Sequence, residues 1–411
     1  MRLLLIAQPY SYRIAPFLAA AQKLDLEVII ASRGEHSLVS EVHQGIHVDF
    51  DDHPQALVQI LEFAKRQPFI GVLGSDDSTV ELAAKVAAQL ELPHNPPSAA
   101  RLSSRKDLAR KRLASSRCKV PQYCLINLEQ TLPDQMSDMN WPVVVKPLNL
   151  SASQGVIRAD TIDEFKQVCT RIKTIISHNP DDFLNSHLLV EAYIEGVEVA
   201  YEGFLLAGQL TTLTIFDKPD PLQGPYFEET IYVTPSRLSQ TIQEQIKQSV
   251  NDACKAYGLV TGPIHAELRV NDQGAWILEV ASRTIGGECA RVLDNDAGYS
   301  LEMLTIALAI GQPADYQPPK SARGVMMIPV PGSGILRRVE GIAKARAEAH
   351  IDKIDIVIRE GNKLIPLPEG NQYPGYIFAS GETQSEVIKA LKAAHQCLKF
   401  VLAPVFKLNK V

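Results

Sequence analysis

The residues best suited to chemistry are two glutamates, Glu267 and Glu279, each set in a run that alternates polar and apolar side chains. Residues 262–270 (Gly-Pro-Ile-His-Ala-Glu-Leu-Arg-Val) and 275–280 (Ala-Trp-Ile-Leu-Glu-Val) read as strands, and Asn271-Asp-Gln-Gly274 between them is a turn signal. If Asp272, Gln273 and Gly274 make a three-residue loop with Gly274 left-handed, Asn271 pairs with Ala275 and Glu267 faces Glu279. Ile264, Ala266, Leu268 and Val270 then share the opposite, core-facing side with Trp276, Leu278 and Val280. Two directly opposed carboxylates repel and call for a cation. Hard oxygen donors on one face suit Mg²⁺, which takes one or two carboxylates together with substrate phosphates. The competing reading is an exposed acidic face whose register slips by a residue or two.

A second group of residues is suited to anions. Lys146 ends the apolar run Trp141-Pro-Val-Val-Val-Lys146, where a buried ammonium needs an anionic partner. Residues 149–155 (Asn-Leu-Ser-Ala-Ser-Gln-Gly) follow, and small side chains such as Ser151, Ser153 and Gly155 let backbone N–H groups approach a phosphate. This is no Walker loop, because Gly-Lys-Ser/Thr is missing and a strand follows. His265-Ala-Glu267 matches the His-x-Glu of zinc deaminases, but Pro-Cys-x-x-Cys is absent, so His265 is read as a hydrogen-bonded strand residue beside the metal face. The long Pro- and Gly-rich stretch 216–229 reads as a lid or substrate loop with Lys218 and Glu229 as contacts, or as a decorated surface hairpin.

The elements that must position these groups alternate along the chain. Residues 1–100 show strands at Leu3–Ala7, Glu27–Ala31 and Ile70–Leu73 with helices at Ala15–Leu24 and Ser78–Leu90, an α/β unit with a parallel sheet. No Gly-x-Gly-x-x-Gly follows the first strand, so a dinucleotide site there is disfavoured. A basic helix at 103–114 carries Arg105, Lys106, Arg110, Lys111 and Arg112. Thr161 and Glu164 form a capping box opening a helix to about Ser177, and a helix over 241–257 stops at Gly258. An apolar helix spans 300–310, Pro-rich residues 312–320 form a linker, and a smaller α/β appendage follows from 321.

Composition narrows the function classes. The 411 residues are enough for two or three domains. A net charge of −6 without a basic stripe argues against nucleic-acid binding. No apolar run reaches transmembrane length. Six scattered cysteines without a Cys-x-x-Cys pair read as reduced thiols of a cytoplasmic protein and disfavour structural zinc.

Taken in order, the pieces over residues 1–310 resemble the ATP-grasp superfamily. They are Lys106, Arg110 and Leu113 in a Lys-x₃-Arg-x₂-Leu segment, Lys146, the small-residue loop, Glu191-Ala-Tyr-Ile-Glu-Gly-Val-Glu198, Glu267, Glu279 and Arg283. The resemblance implies an α/β (α+β) ATP-grasp architecture: an N-terminal parallel α/β domain (1–100), a two-sheet ATP-grasp core (101–311, small lobe about 115–190, large lobe about 191–311), and a small C-terminal closing domain (321–411). It also implies that Lys106 and Lys146 bind ATP phosphates under the 151–155 loop. Ala192, Tyr193 and Ile194 would flank adenine, with Glu191 nearby, Glu198 would meet the ribose, and Glu267 and Glu279 would hold Mg²⁺, with Mn²⁺ as a substitute. One departure is that Ala281 stands where the superfamily often has a ligating Asn. The resemblance to the amino-acid ligase branch extends to residues 326–331 (Met-Met-Ile-Pro-Val-Pro) and 373–378 (Tyr-Pro-Gly-Tyr-Ile-Phe).

The activity implied is an ADP-forming carboxylate–amine ligase working through an acyl phosphate on small-molecule substrates such as amino acids, by family habit a homodimer, with neither nucleic acid nor membrane as partner. In that reading Arg283 is catalytic with Lys146, binding the carboxylate and then the tetrahedral oxyanion, with N–H groups of Gly286 and Gly287 beside it. A plain salt bridge from Arg283 to Glu267 or Glu279 is the alternative. At the level of function, the rivals are a bicarbonate-using carboxylase of the same superfamily and a non-catalytic nucleotide-binding module.

Overall fold

Runs of buried aliphatic residues make the N-terminal sheet. A computed structural model of the protein describes residues 1–34, 45–295, 297–312 and 316–405. In it Gly45–His47, Glu27–Ser32, Arg2–Ile6 and Gly71–Gly74 pair in parallel in that order. Leu3, Leu4, Leu5 and Ile6 are all fully buried because this sheet is covered on both faces. Leu4 and Ile6 pack with the helices His53–Arg66 and Val80–Gln89, while Leu3 and Leu5 pack with Ile14–Lys23. The expected strands and two helices are present. His53–Arg66, opened by Pro54 and capped by the Asp52 side chain on the Gln55 N–H, has no counterpart in the sequence reading. Met303, Ile306 and Ala309 of the helix Leu301–Ala309 complete the second core, so the end of the ATP-grasp segment is packed under the N-terminal unit.

Two antiparallel sheets follow. The smaller has the order Tyr123–Asn127, His187–Ala192, Val143–Lys146, Ile157–Ala159 and is covered by the helix Ile162–Ile176, whose N-cap Thr161 accepts the Glu164 N–H. The larger runs Gly274–Ala281, Gly262–Asn271, Val197–Leu206, Gln209–Asp217, Ile231–Thr234, Ala322–Met327, Gly375–Gly381, Ile351–Ile356. The helix Gln240–Tyr257 covers one face and ends on left-handed Gly258 (φ +81°). The last three strands of the larger sheet come from the C-terminal appendage, so its backbone extends the large-lobe sheet. A three-stranded sheet (Lys363–Leu364, Gly334–Glu340, Lys399–Ala403) is the appendage's own.

Residues 313–315 of the expected Pro-rich linker lie outside the described residues. All six cysteines are free. Among the described residues no helix is long and apolar enough to cross a membrane.

Candidate active site

Glu267 does stand opposite Glu279, but by a different route from the one the sequence suggests. The turn is one residue shorter: Asn271 pairs with Gly274, Val270 with Ala275, Arg269 with Trp276 and Leu268 with Ile277. A regular ladder in that register would set Leu278 against Glu267 and send Glu279 to the core side with Ala266. A β-bulge at Leu278 adds one residue, after which Glu267 meets Glu279 and Ala266 meets Val280. Ala275 and Ile277, not Trp276 and Leu278, therefore face the core; Leu278 lines the cleft. The bulge is held by Arg110 of the helix Lys106–Ala114. Its Nη1 and Nη2 donate to the carbonyls of Ile277 (2.8 Å) and Leu278 (2.7 Å), and its Nε to Glu191. The sequence marks Arg110 in the Lys-x₃-Arg-x₂-Leu segment but gives no sign of this role; Arg110 is almost fully buried.

Glu191 lines the cleft from an inner strand of the small sheet and takes Lys146 Nζ at 2.6 Å as well as Arg110. Burial alone would raise its carboxyl, but Arg110 and then Lys146 outweigh it and hold the pKa below the usual value. Glu191 is thus an anchor for both cations, and Lys146 lines the cleft beside it. Lys106 Nζ sits 2.9 Å from Glu279. Burial disfavours its charge, yet Glu279 keeps the ammonium protonated, with its pKa raised.

Lys218, expected as a loop contact, is instead enclosed: its Nζ lies 2.9 Å from Glu198, 2.5 Å from Glu229 and 3.3 Å from Glu267. Arg269 Nε donates to the other oxygen of Glu198 at 2.9 Å. Glu198, Glu229 and Glu267 bring carboxylate oxygens within 4.8 Å of one another. These hard donors fit a divalent cation, and Glu279 adds a fourth carboxylate on the same cleft. Burial favours neutral carboxyls here. Lys218 and His265 overcome it at Glu267, whose pKa falls well below normal, whereas Glu229, with burial and Glu267 against Lys218, rises to about 7. Ala281 is fully buried and offers no ligand.

The small-residue loop closes the cleft from above, with Ser151, Ala152 and Ser153 on its wall. Ala152 and Ser153 are both left-handed at φ +54°. Gly155 (φ +70°) passes so close to Pro147 that a Cβ would lie 2.7 Å from Cγ, so no larger residue fits. The adenine-side segment is partly used up: Ala192 N–H goes to Gln122 O, Tyr193 N–H to Pro142 O, and the Ile194 carbonyl accepts Arg269 Nη1 at 2.8 Å. Among the described residues the Ile194 N–H makes no hydrogen bond, and Ile194 lines the cleft. Residues 218–229 do not hang free as a lid. Arg158 N–H bonds Pro225 O at 2.9 Å, and Phe227 stacks near Tyr193 with Arg269 over both rings, walling the cleft.

A second cavity of about 820 Å³ opens from the first, sharing Ser151, Glu229, His265, Glu267 and Arg283. Arg283 is not paired with Glu267 or Glu279. Its Nε and Nη2 make a bidentate pair with Asp77 of the N-terminal unit, both at 2.8 Å. Burial disfavours its charge, and Asp77 more than offsets that, so it stays a guanidinium. His265 is buried with Nδ1 2.5 Å from Glu202 and Nε2 3.6 Å from Glu267. Against the desolvation penalty, Glu202 raises its pKa to about 9. The expected backbone donors differ: Gly287 N–H already donates to Tyr12 Oη at 3.0 Å, and only Gly286 remains open. Tyr12, Arg13, Asp76 and Asp77 reach this cavity from the N-terminal unit, a contribution the sequence reading missed because nothing in residues 8–13 or 75–78 has a motif.

Three family models match separate parts of the chain: an ATP-grasp N-terminal domain over residues 18–94, an ATP-grasp domain over 139–292, and the L-amino acid ligase C-terminal domain 2 over 326–403. The ATP-grasp enzyme fsqD of Aspergillus fumigatus is 22% identical over 85% of this chain and 69% of its own length. Carnosine synthase 1 of Gallus gallus is 24% identical over 64% of this chain, which spans 29% of that protein. The crystal structure of an L-amino acid ligase from Bacillus licheniformis superposes with a TM-score of 0.82 at 23% identity, covering 98% of this chain and 99% of that one. The chain thus carries an ATP-grasp domain with the ATP-grasp N-terminal domain before it and the C-terminal domain 2 of L-amino acid ligases after it.

Proposed function

We propose that this chain is an ADP-forming carboxylate–amine ligase that joins two amino acids, or an amino acid and a related amine, through an acyl phosphate. Its similarity to carnosine synthase, to an alanine–anticapsin ligase and to D-alanine–D-alanine ligases supports that substrate class. The observation that carries the reading is the junction of two cavities. One is lined by Lys106, Lys146 and Ser153, the other by Asp77, Tyr12 and Gly286, and Ser151, Glu229, His265, Glu267 and Arg283 are shared between them.

In this reading Lys106 and Lys146 turn from their glutamates to the β- and γ-phosphates, and the 151–153 N–H groups cover them. Glu267 and Glu279, with Glu198 in reach, would hold Mg²⁺ (or Mn²⁺), which supplies charge neutralisation at the phosphates. Arg283, fixed by Asp77, orients the substrate carboxylate for attack on the γ-phosphorus and then faces the tetrahedral oxyanion with Gly286 N–H. Glu229, with a pKa near 7, accepts a hydrogen bond from the incoming amino group and is suited to take its proton as the amide forms. Phosphate leaves, and the cleft excludes water from the acyl phosphate meanwhile.

The test is phosphate release over a panel of amino acids with Mg·ATP. Release that depends on two amino acids, with a dipeptide detected by mass, is the expected result. Glu279→Gln should lower it about 100-fold or more, with circular dichroism showing the variant folded at the assay temperature although Lys106 loses its counter-charge. Turnover by the variant at the native rate would end this reading. Release driven by bicarbonate alone would replace it with a carboxylase.

A further inference from the structure

We propose that Glu369, through Arg171, is a positioning residue for the phosphate loop, so that the C-terminal domain sets the affinity for ATP. This rests on the ligase reading for what the loop binds. The loop tip is strained: consecutive non-glycine residues Ala152 and Ser153 sit in the left-handed region, which L side chains adopt only when their surroundings impose it. Inside the loop only the Gln154 N–H to Ser151 O (3.2 Å) and Val156 N–H to Ser153 O (3.1 Å) bonds oppose that strain.

The rest of the restraint comes from the other end of the chain. Gly155 N–H donates to Pro368 O at 2.9 Å, Gln154 Nε2 to Glu369 O at 2.8 Å, and Asn371 Nδ2 to Gln154 Oε1 at 3.3 Å. This segment turns tightly at Gly370, where a Cβ would lie 1.8 Å from the Ile365 carbonyl oxygen. It is fastened to the small lobe by the Glu369 carboxylate, which accepts Arg171 Nε at 2.6 Å and Nη2 at 3.0 Å. Arg171 lies on Ile162–Ile176, the helix that packs on the strand following the loop, and also donates to Tyr226 Oη. The two-pronged pair fixes where Pro368 O and Glu369 O stand. Those carbonyls consume the second half of the loop and leave the Ala152 and Ser153 N–H groups, on the cavity wall, for phosphate.

The experiment compares Glu369→Arg, Arg171→Glu and the double swap. It reads hydrogen exchange of the 151–156 amides in ligand-free protein, KM for ATP and for each amino acid, and melting temperature. Each single variant should exchange faster at 151–156 and raise KM for ATP about three- to tenfold, with amino-acid KM and melting unchanged. The double swap should restore both. Native exchange and native KM for ATP in the single variants would overturn the proposal. So would a fall in kcat and melting temperature without any change at ATP, the pattern of a merely structural contact. A wild-type protein that releases no ADP would remove the ligase reading alone, because the exchange readout needs no turnover and still decides the latch.

Discussion

Each ionic residue of the cleft has an opposite charge where a ligand would later compete. Lys106 lies on Glu279, Lys146 on Glu191, Lys218 on three glutamates, and Arg283 on Asp77. Desolvated charges survive only in such company. His265 gives the effect a measurable pH dependence. Its folded pKa is raised to about 9 by Glu202, against an ordinary 6.5. A raised basic group stabilises the fold fully below the unfolded value and loses that contribution as pH climbs through the folded one. Denaturation of the metal- and nucleotide-free protein should therefore show of order 1–3 kcal/mol lost between about pH 6.5 and 9. His265→Gln should flatten this slope; an equal slope in the variant would assign it elsewhere.

At the scale of elements, the hairpin Gly262–Asn271/Gly274–Ala281 depends on one defect and one side chain. The bulge at Leu278 turns Glu279 from the core to the cleft, and Arg110 satisfies the carbonyls of Ile277 and Leu278 beside it. Arg110→Met strands both carbonyls in a buried site and removes a partner from Glu191, at a cost of about 3 kcal/mol or more. Urea unfolding should show the midpoint fall at constant slope. Arg110→Lys should recover little of it, since an ammonium cannot fork across two carbonyls and a carboxylate. Full recovery by lysine would mean that charge, not geometry, holds the bulge.

For the whole molecule, the cavities are lined and braced from four regions. Asp77 and Tyr12 come from the N-terminal unit, Lys146, Glu191 and residues 151–153 from the small lobe, Glu198, Glu267 and Glu279 from the large sheet, and Pro368 and Glu369, which hold the loop, from the C-terminal appendage. A ligand held among them stabilises the folded state by mass action. Mg·ADP at about 100 times its Kd should add about 2.7 kcal/mol and raise the melting temperature. Glu279→Gln should abolish most of that rise, and a shift of equal size in the variant would place nucleotide away from these acids.

The alternation around Glu267 and Glu279, the lysine ending Val143–Lys146 and the small residues of 149–155 were all legible, because period-2 patterning and turn chemistry are local properties. Local patterning of this kind determined the parallel N-terminal sheet and the acid-bearing hairpin, and the order of the pieces carried the resemblance to ATP-grasp proteins. Only the tertiary structure decided that the turn is one residue short and the bulge corrects it, that Lys218 is enclosed by three glutamates, and that Arg283 is held by Asp77. The reason is physical: a bulge and a buried ion pair are stabilised by partners distant in sequence, and residues 77 and 283 or 155 and 368 carry no local mark of their meeting.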